Sequence, residues 1–186
     1  MIVIVNQILA VLTVVGQVFF LVGLTLLVLD WRAQSNPLLK FLGRRGILFG
    51  FLVSLAAMAV SVYYSNIVGY PPCSLCWVQR IFIYPQVFLL GLAWWRQDKQ
   101  IIDYALLLAG VGALVALYQN YLDYGGAVLF ACGAGAGTVS CTQRYVLEFG
   151  YITIPMMSLT AFLLLGWCLV AARRYLGYSS PRIEQQ

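Results

Sequence analysis

The chain has 186 residues, 62% hydrophobic and 9% charged, with a mean hydropathy of +0.89. An ordinary soluble domain carries about 25% charged residues, so this composition excludes one and points to an integral membrane protein. There is no histidine, which removes the commonest imidazole ligands for haem, zinc or copper, and the net charge of +5 is distributed as a topology signal, not as a nucleic-acid surface.

Five apolar runs, at about 2–29, 47–68, 76–95, 101–121 and 152–172, are each long enough to cross a hydrocarbon core of roughly 30 Å. They read as long spans without a tight Gly or Pro break. The first resembles a signal peptide only superficially. It lacks a basic leading region, its apolar run is too long, and no small-residue cleavage site follows, so it is read as a true span. The class is therefore all-α, multipass and membrane-embedded.

Basic residues orient the spans. Arg32, Lys40, Arg44 and Arg45 fall in the first connection, Arg96 and Lys99 in the third, and Arg173, Arg174 and Arg182 in the C-terminal tail. The 69–75 connection carries no charge, the 122–151 loop has only Arg144 as a cation, and Arg80 lies within a span. The N-terminus is thus expected outside and the C-terminus in the cytoplasm, as an odd number of spans requires.

With this orientation Cys73, Cys76, Cys132 and Cys141 all face the non-cytoplasmic side, where disulfides form and persist. Cys168, near the cytoplasmic end of the last span, is the odd one and reads as a small buried hydrophobe.

The segment PPCSLCWVQR at 71–80 is the densest local signal. Pro71 and Pro72 block helix continuation, so a helix starts near Cys73 with Cys76 in its first turn. A thiolate there is stabilised by unpaired N–H groups and the positive end of the helix dipole. Arg80, four residues after Cys76, shares its helical face and lies about 6 Å deeper at 1.5 Å per residue. An intramembrane arginine is costly and by default functional: it can stabilise the thiolate or bond the carbonyl of a lipid-soluble acceptor. The plain alternative is that it snorkels to the headgroups.

A CxxC pair also serves zinc sites, and a metal reading would recruit Cys132 and Cys141 to complete four thiolates. The wide spacing of that second pair and the oxidising compartment weigh against it. Cys132 and Cys141 sit in FACGAGAGTVSC, whose alternating glycines make a flexible connector. A disulfide closing so short a ring removes modest entropy, somewhat under the roughly 3 kcal/mol of a 15-residue loop. An exchangeable disulfide fits better than a staple, though a loop-rigidifying staple remains the alternative. After it, Tyr145, Val146, Phe149 and Tyr151 interleave with Gln143, Arg144 and Glu148 as a short amphipathic interfacial segment leading to Pro155.

The stretches PCSLCWVQR at 72–80 and CTQRYVLEFGYITIP at 141–155, in that order, resemble the disulfide bond formation protein B (DsbB) family and its Gram-positive relatives. The related vitamin K epoxide reductases place their loop cysteines before the CxxC. The resemblance covers residues 47–172 and implies a four-helix transmembrane bundle. Residues 1–30 would then form one extra N-terminal span and 173–186 a cytoplasmic tail.

This resemblance implies a quinone-dependent protein-disulfide oxidoreductase of the bacterial inner membrane that supports disulfide formation in exported proteins. A reduced soluble thioredoxin-fold (DsbA-like) oxidase would attack the Cys132–Cys141 disulfide, forming its mixed disulfide at Cys132. Cys141 would exchange with Cys73, and Cys76, beside Arg80, would pass the electrons to ubiquinone or menaquinone, with no metal. Two other classes fit the composition: a multipass binding or transport protein with structural outer-loop disulfides, and a quinone-linked reductase running in the reverse sense.

Overall fold

A computed structural model describes residues 2–29, 37–127, 141 and 143–179. Its elements are five α-helices in chain order: α1 (Ile2–Leu29), α2 (Pro37–Val62), α3 (Ser74–Arg96), α4 (Ile101–Asp123) and α5 (Ile154–Ser179). All five contain a stretch long and apolar enough to cross a membrane. The all-helical membrane architecture expected from composition is the one observed. Helices are the simplest way to satisfy every backbone N–H and C=O inside hydrocarbon.

Boundaries differ from the hydropathy reading in instructive ways. α2 begins at Pro37, so Lys40, Arg44 and Arg45 lie on a helix and not in a connection. Charge ends an apolar run without ending a helix. Pro is well tolerated at the first helical position, where its missing N–H would have no partner anyway. α5 likewise runs on to Ser179, past the apolar stretch. α3 contains Pro85 and is still one unbroken span, as expected. That proline leaves the carbonyl four residues earlier without its helical donor, yet the helix continues, as prolines in membrane helices often allow. Residues 143–153 are not a regular amphipathic element: Glu148 and Ile152 pair across a tight turn in which Phe149 and Gly150 have positive φ (52° and 77°).

α5 is the central helix, packed against α2, α4 and α1. The main core joins Ile83 and Leu90 of α3, Ala105, Ala109 and Ala116 of α4, and Phe162, Leu165 and Leu169 of α5. Lipid supplies no hydrophobic force between helices, so close packing must do so through small residues at the contacts. Gly46 is one of the closest approaches between α2 and α5. A Cβ there would come within 2.5 Å of the Cys168 carbonyl oxygen and 2.7 Å of the Ala172 Cβ. Arg173 and Asp103 form an ion pair at 3.1 Å, but both are well exposed and such pairs add little.

Because the contact at Gly46 is with backbone, it cannot relax cheaply. Gly46→Leu is expected to destabilise the bundle by about 1–3 kcal/mol, measured by thermal unfolding of the purified protein in detergent.

Candidate active site

α2 leaves its regular geometry in a π-helical turn, Tyr63–Ile67, and Pro71 and Pro72 then deliver the chain to α3. Cys73 is the N-cap of α3, with φ −73° and ψ 171°. Its Sγ accepts the Cys76 backbone N–H at 3.3 Å, the place usually taken by a Ser, Thr, Asp or Asn oxygen. Cys76 follows in the first turn. Both are free thiols with their sulfurs 2.8 Å apart, in contact but longer than the ~2.05 Å of a disulfide bond. The Cys73 thiol is pushed above its ordinary range, first by its hydrogen bond with Cys76 and then by burial.

Cys141 packs on this pair. It forms a buried cluster with Cys73 and Leu122, flanked by Leu75, Cys76 and Tyr118, and its sulfur lies 3.6 Å from Ser74 Oγ. Cys141 is disulfide-bonded. Cys132, named with it from the sequence, lies outside the described residues. Arg144 donates to the Asp123 carbonyl, tying the segment after Cys141 to the end of α4. Tyr145 stacks on Tyr70 at 4.6 Å, and Tyr70 on Tyr64 at 6.0 Å.

Beneath these aromatic rings is a cavity of about 350 Å³ lined by Cys73, Cys76, Arg80 and Cys141 together with apolar side chains of α1, α2 and α5. Arg80 is turned inward to protein partners. Its Nε donates to Ser61 Oγ at 2.9 Å and its Nη2 to the Ser61 carbonyl at 3.2 Å. Tyr84 donates to the same Ser61 hydroxyl at 3.2 Å, and the guanidinium carbon sits 5.1 Å above the Trp77 ring. A cation held by α2 and an aromatic face thus lines the same chamber as the thiol pair.

The structure brings four of the five sequence-selected residues to one chamber. That arrangement permits thiol–disulfide exchange between Cys141 and the CxxC pair, beside a cavity that Cys76 also lines. Among the described residues no three metal-ligating side chains converge. The family model for Disulfide bond formation protein DsbB matches residues 43–172. The chain belongs to this family.

Curated relatives carry related names. The chain is 42% identical over 115 residues to "Probable disulfide formation protein C 1" of Bacillus anthracis, covering 62% of this chain and 82% of that one. It is 39% identical over 118 residues to "Disulfide bond formation protein C" of Bacillus subtilis, covering 62% and 83%. A "Probable disulfide formation protein C" of Halalkalibacterium halodurans is 36% identical over 122 residues, covering 66% and 88%. No solved structure matches the chain. DsbB membership makes this a multipass membrane protein of disulfide formation and a disulfide oxidoreductase.

One further side chain at the DsbB-type cysteine pair escaped sequence reasoning. Gln119 of α4 donates its amide to Cys73 Sγ at 3.3 Å and lies 3.5 Å from Cys76 Sγ. Its own oxygen accepts from Gln79 Nε2 at 2.6 Å, which fixes the amide with its donors facing the sulfurs. Both glutamines are buried, at 3% and 6% exposure. The available signal was an amide in an apolar span, since polar residues there face the bundle interior and find partners.

Gln119→Leu removes a donor from both sulfurs. Hydrogen bonds to charged groups contribute about 1.5–3 kcal/mol, so alkylation of Cys76 at neutral pH is expected to slow about tenfold. Mass-spectrometric counting of modified Cys76 against time checks this, and an unchanged rate would mean that the amide does not support the thiolate.

Proposed function

We propose that this protein reoxidises a soluble thioredoxin-fold, DsbA-like oxidase outside the cytoplasm and passes the electrons to membrane quinone. The observation that carries the reading is the packing of the disulfide-bonded Cys141 against the Cys73–Cys76 pair, at a chamber that also holds Arg80. The orientation it needs is supported by basic residues gathered towards the opposite end of the bundle: Lys40, Arg44 and Arg45 in the first part of α2, Arg96 and Lys99 around the end of α3, and Arg173 and Arg174 in the last part of α5.

The relay is a chain of exchanges in which a thiolate attacks one sulfur and releases the other. One thiolate of the reduced partner attacks Cys132 and releases Cys141 as thiolate. Cys141 attacks Cys73 of the oxidised CxxC and releases Cys76. The partner's second thiol then displaces Cys132, leaving the partner oxidised, and Cys132 displaces Cys73 from Cys141. Two electrons and two protons have moved from the partner to Cys73 and Cys76, and the loop disulfide is restored.

Cys76 is suited to leave because its sulfur gains from the helix N-terminus and from Gln119. A quinone bound in the chamber supplies a two-electron, two-proton acceptor, which regenerates the Cys73–Cys76 disulfide. Cys76 and Arg80, which both line the chamber, would meet its ring. Arg80 would donate to a carbonyl oxygen as negative charge develops there.

The test is a coupled assay on the full-length protein in detergent, following quinone absorbance together with free thiols on a reduced DsbA-like oxidase. Matched loss of both, dependent on Cys76 and Cys132, is expected; absence of quinone reduction with all four cysteines inert to exchange would overturn the reading in favour of structural disulfides. Cys76→Ser should reduce turnover to background. Arg80→Ala should lower kcat/KM for quinone by about ten- to a hundredfold, the loss of one or two charge-assisted hydrogen bonds. Exchange between Cys141 and the CxxC should survive in that variant.

A further inference from the structure

α1 lies outside the residues that the DsbB family model matches, yet it is anchored along its whole length. Near its start Asn6 Oδ1 accepts a hydrogen bond from Tyr64 OH at 3.0 Å. In its middle Gln17 donates to Thr160 Oγ1 at 3.2 Å, and its oxygen accepts from Tyr151 OH at 3.0 Å. Further on, Gly23 lies against Trp167 so closely that a Cβ would come within 2.4 Å of the indole ring. Arg174 donates to the Leu27 carbonyl at 3.3 Å. Polar contacts and close backbone approach are what hold helices together in lipid.

The anchoring contacts run chiefly to α5. Another side of α1 faces the chamber. Leu9, Leu12 and Thr13 line it together with Val53, Ala57 and Val60 of α2. The Thr13 hydroxyl donates to the Leu9 carbonyl at 2.7 Å, so its polarity is spent within α1. Leu12 is 59% exposed and therefore marks a rim, where the chamber opens sideways on a surface that meets lipid. The slot is apolar, and it is continuous with the space that Cys76 and Arg80 line.

We propose that α1 and α2 form a side-opening slot for the apolar tail of the quinone, and that Leu9 and Leu12 decide which tails fit. This rests on the quinone reading above. Continuity selects the occupant: a molecule whose polar ring reaches Arg80 and Cys76 can lay its hydrocarbon along the apolar lining that joins them to Leu12 in one cavity. α1 thus acts as a specificity-determining wall added to the family's site.

The experiment uses the full-length protein with the CxxC reduced by dithiothreitol and the reductant removed. Single-turnover oxidation is followed by quinone absorbance and by loss of Cys73 and Cys76 thiols. Two acceptors are compared, a long-tailed isoprenoid quinone and a tail-less analogue of the same ring.

Leu12→Trp, which fills the slot at its rim, is expected to raise the half-saturating concentration about tenfold for the long-tailed quinone and less than about twofold for the tail-less one. Leu9→Ala, which widens the slot, should weaken the preference for the long tail. Leu29→Trp, on the same helix but 84% exposed and away from the slot, should match wild type with both. Equal effects of Leu12→Trp on the two quinones, or no effect on either, would overturn the slot while leaving the quinone reading intact. Failure of the wild type to oxidise its thiols with either acceptor would sink both. Retained reaction with the tail-less quinone shows in the same sample that the variant is folded.

Discussion

The first N–H groups of a helix have no partners within it, and at a membrane boundary they demand one. α3 meets that demand with a sulfur: Cys73 caps the helix by accepting from the Cys76 N–H. The two prolines ahead of it fix where the helix can begin, and much of the chemistry depends on that register. Cys76 falls in the first turn, where the dipole favours negative charge. Gln79 and Arg80 follow one turn deeper on faces that meet α4 and α2. A start one residue later would carry all of these side chains about 100° around the axis, given 3.6 residues per turn, and separate them from Gln119 and Ser61.

Around this start the rest of the bundle reads as a housing. α5 provides the axis, and small residues such as Gly46 let α2 approach it closely. The stacked rings of Tyr64, Tyr70 and Tyr145 form part of the chamber's lining. Arg80 is held to Ser61, so the register of α3 against α2 also sets where its charge sits.

The spans could be read from the chain because hydrocarbon imposes a simple demand on length and polarity. Helix ends could not, since hydropathy registers what lipid tolerates and not where hydrogen bonding stops. Lys40, Arg44 and Arg45 end the apolar run of α2 but are good helix formers, and only Pro37 marks its real beginning. The cysteine pair and Arg80 were accessible because their relation is local, spaced three and four residues apart on one helix. Gln119 was not, because its role comes from the pairing of α3 with α4, 43 positions along the chain from Cys76. Pairing of distant amides such as Gln79 and Gln119, or of Asn6 with Tyr64, leaves no trace in spacing. The fate of residues 143–153 turned on Phe149 and Gly150 taking positive φ, a choice that an alternation of aromatic and polar residues does not disclose.

The fifth cysteine gives the bundle a property of a different kind. Cys168 is a free thiol, 5% exposed, enclosed by Leu27, Leu42 and Trp167 from three helices. In a protein that passes disulfides between sulfurs, any additional reactive thiol is a leak that can divert a mixed intermediate into a dead-end bond. Reactivity belongs to the thiolate and needs access, and this apolar jacket denies both. Since Leu27 belongs to α1, the N-terminal helix helps insulate this thiol from the cysteines at the other end of the molecule.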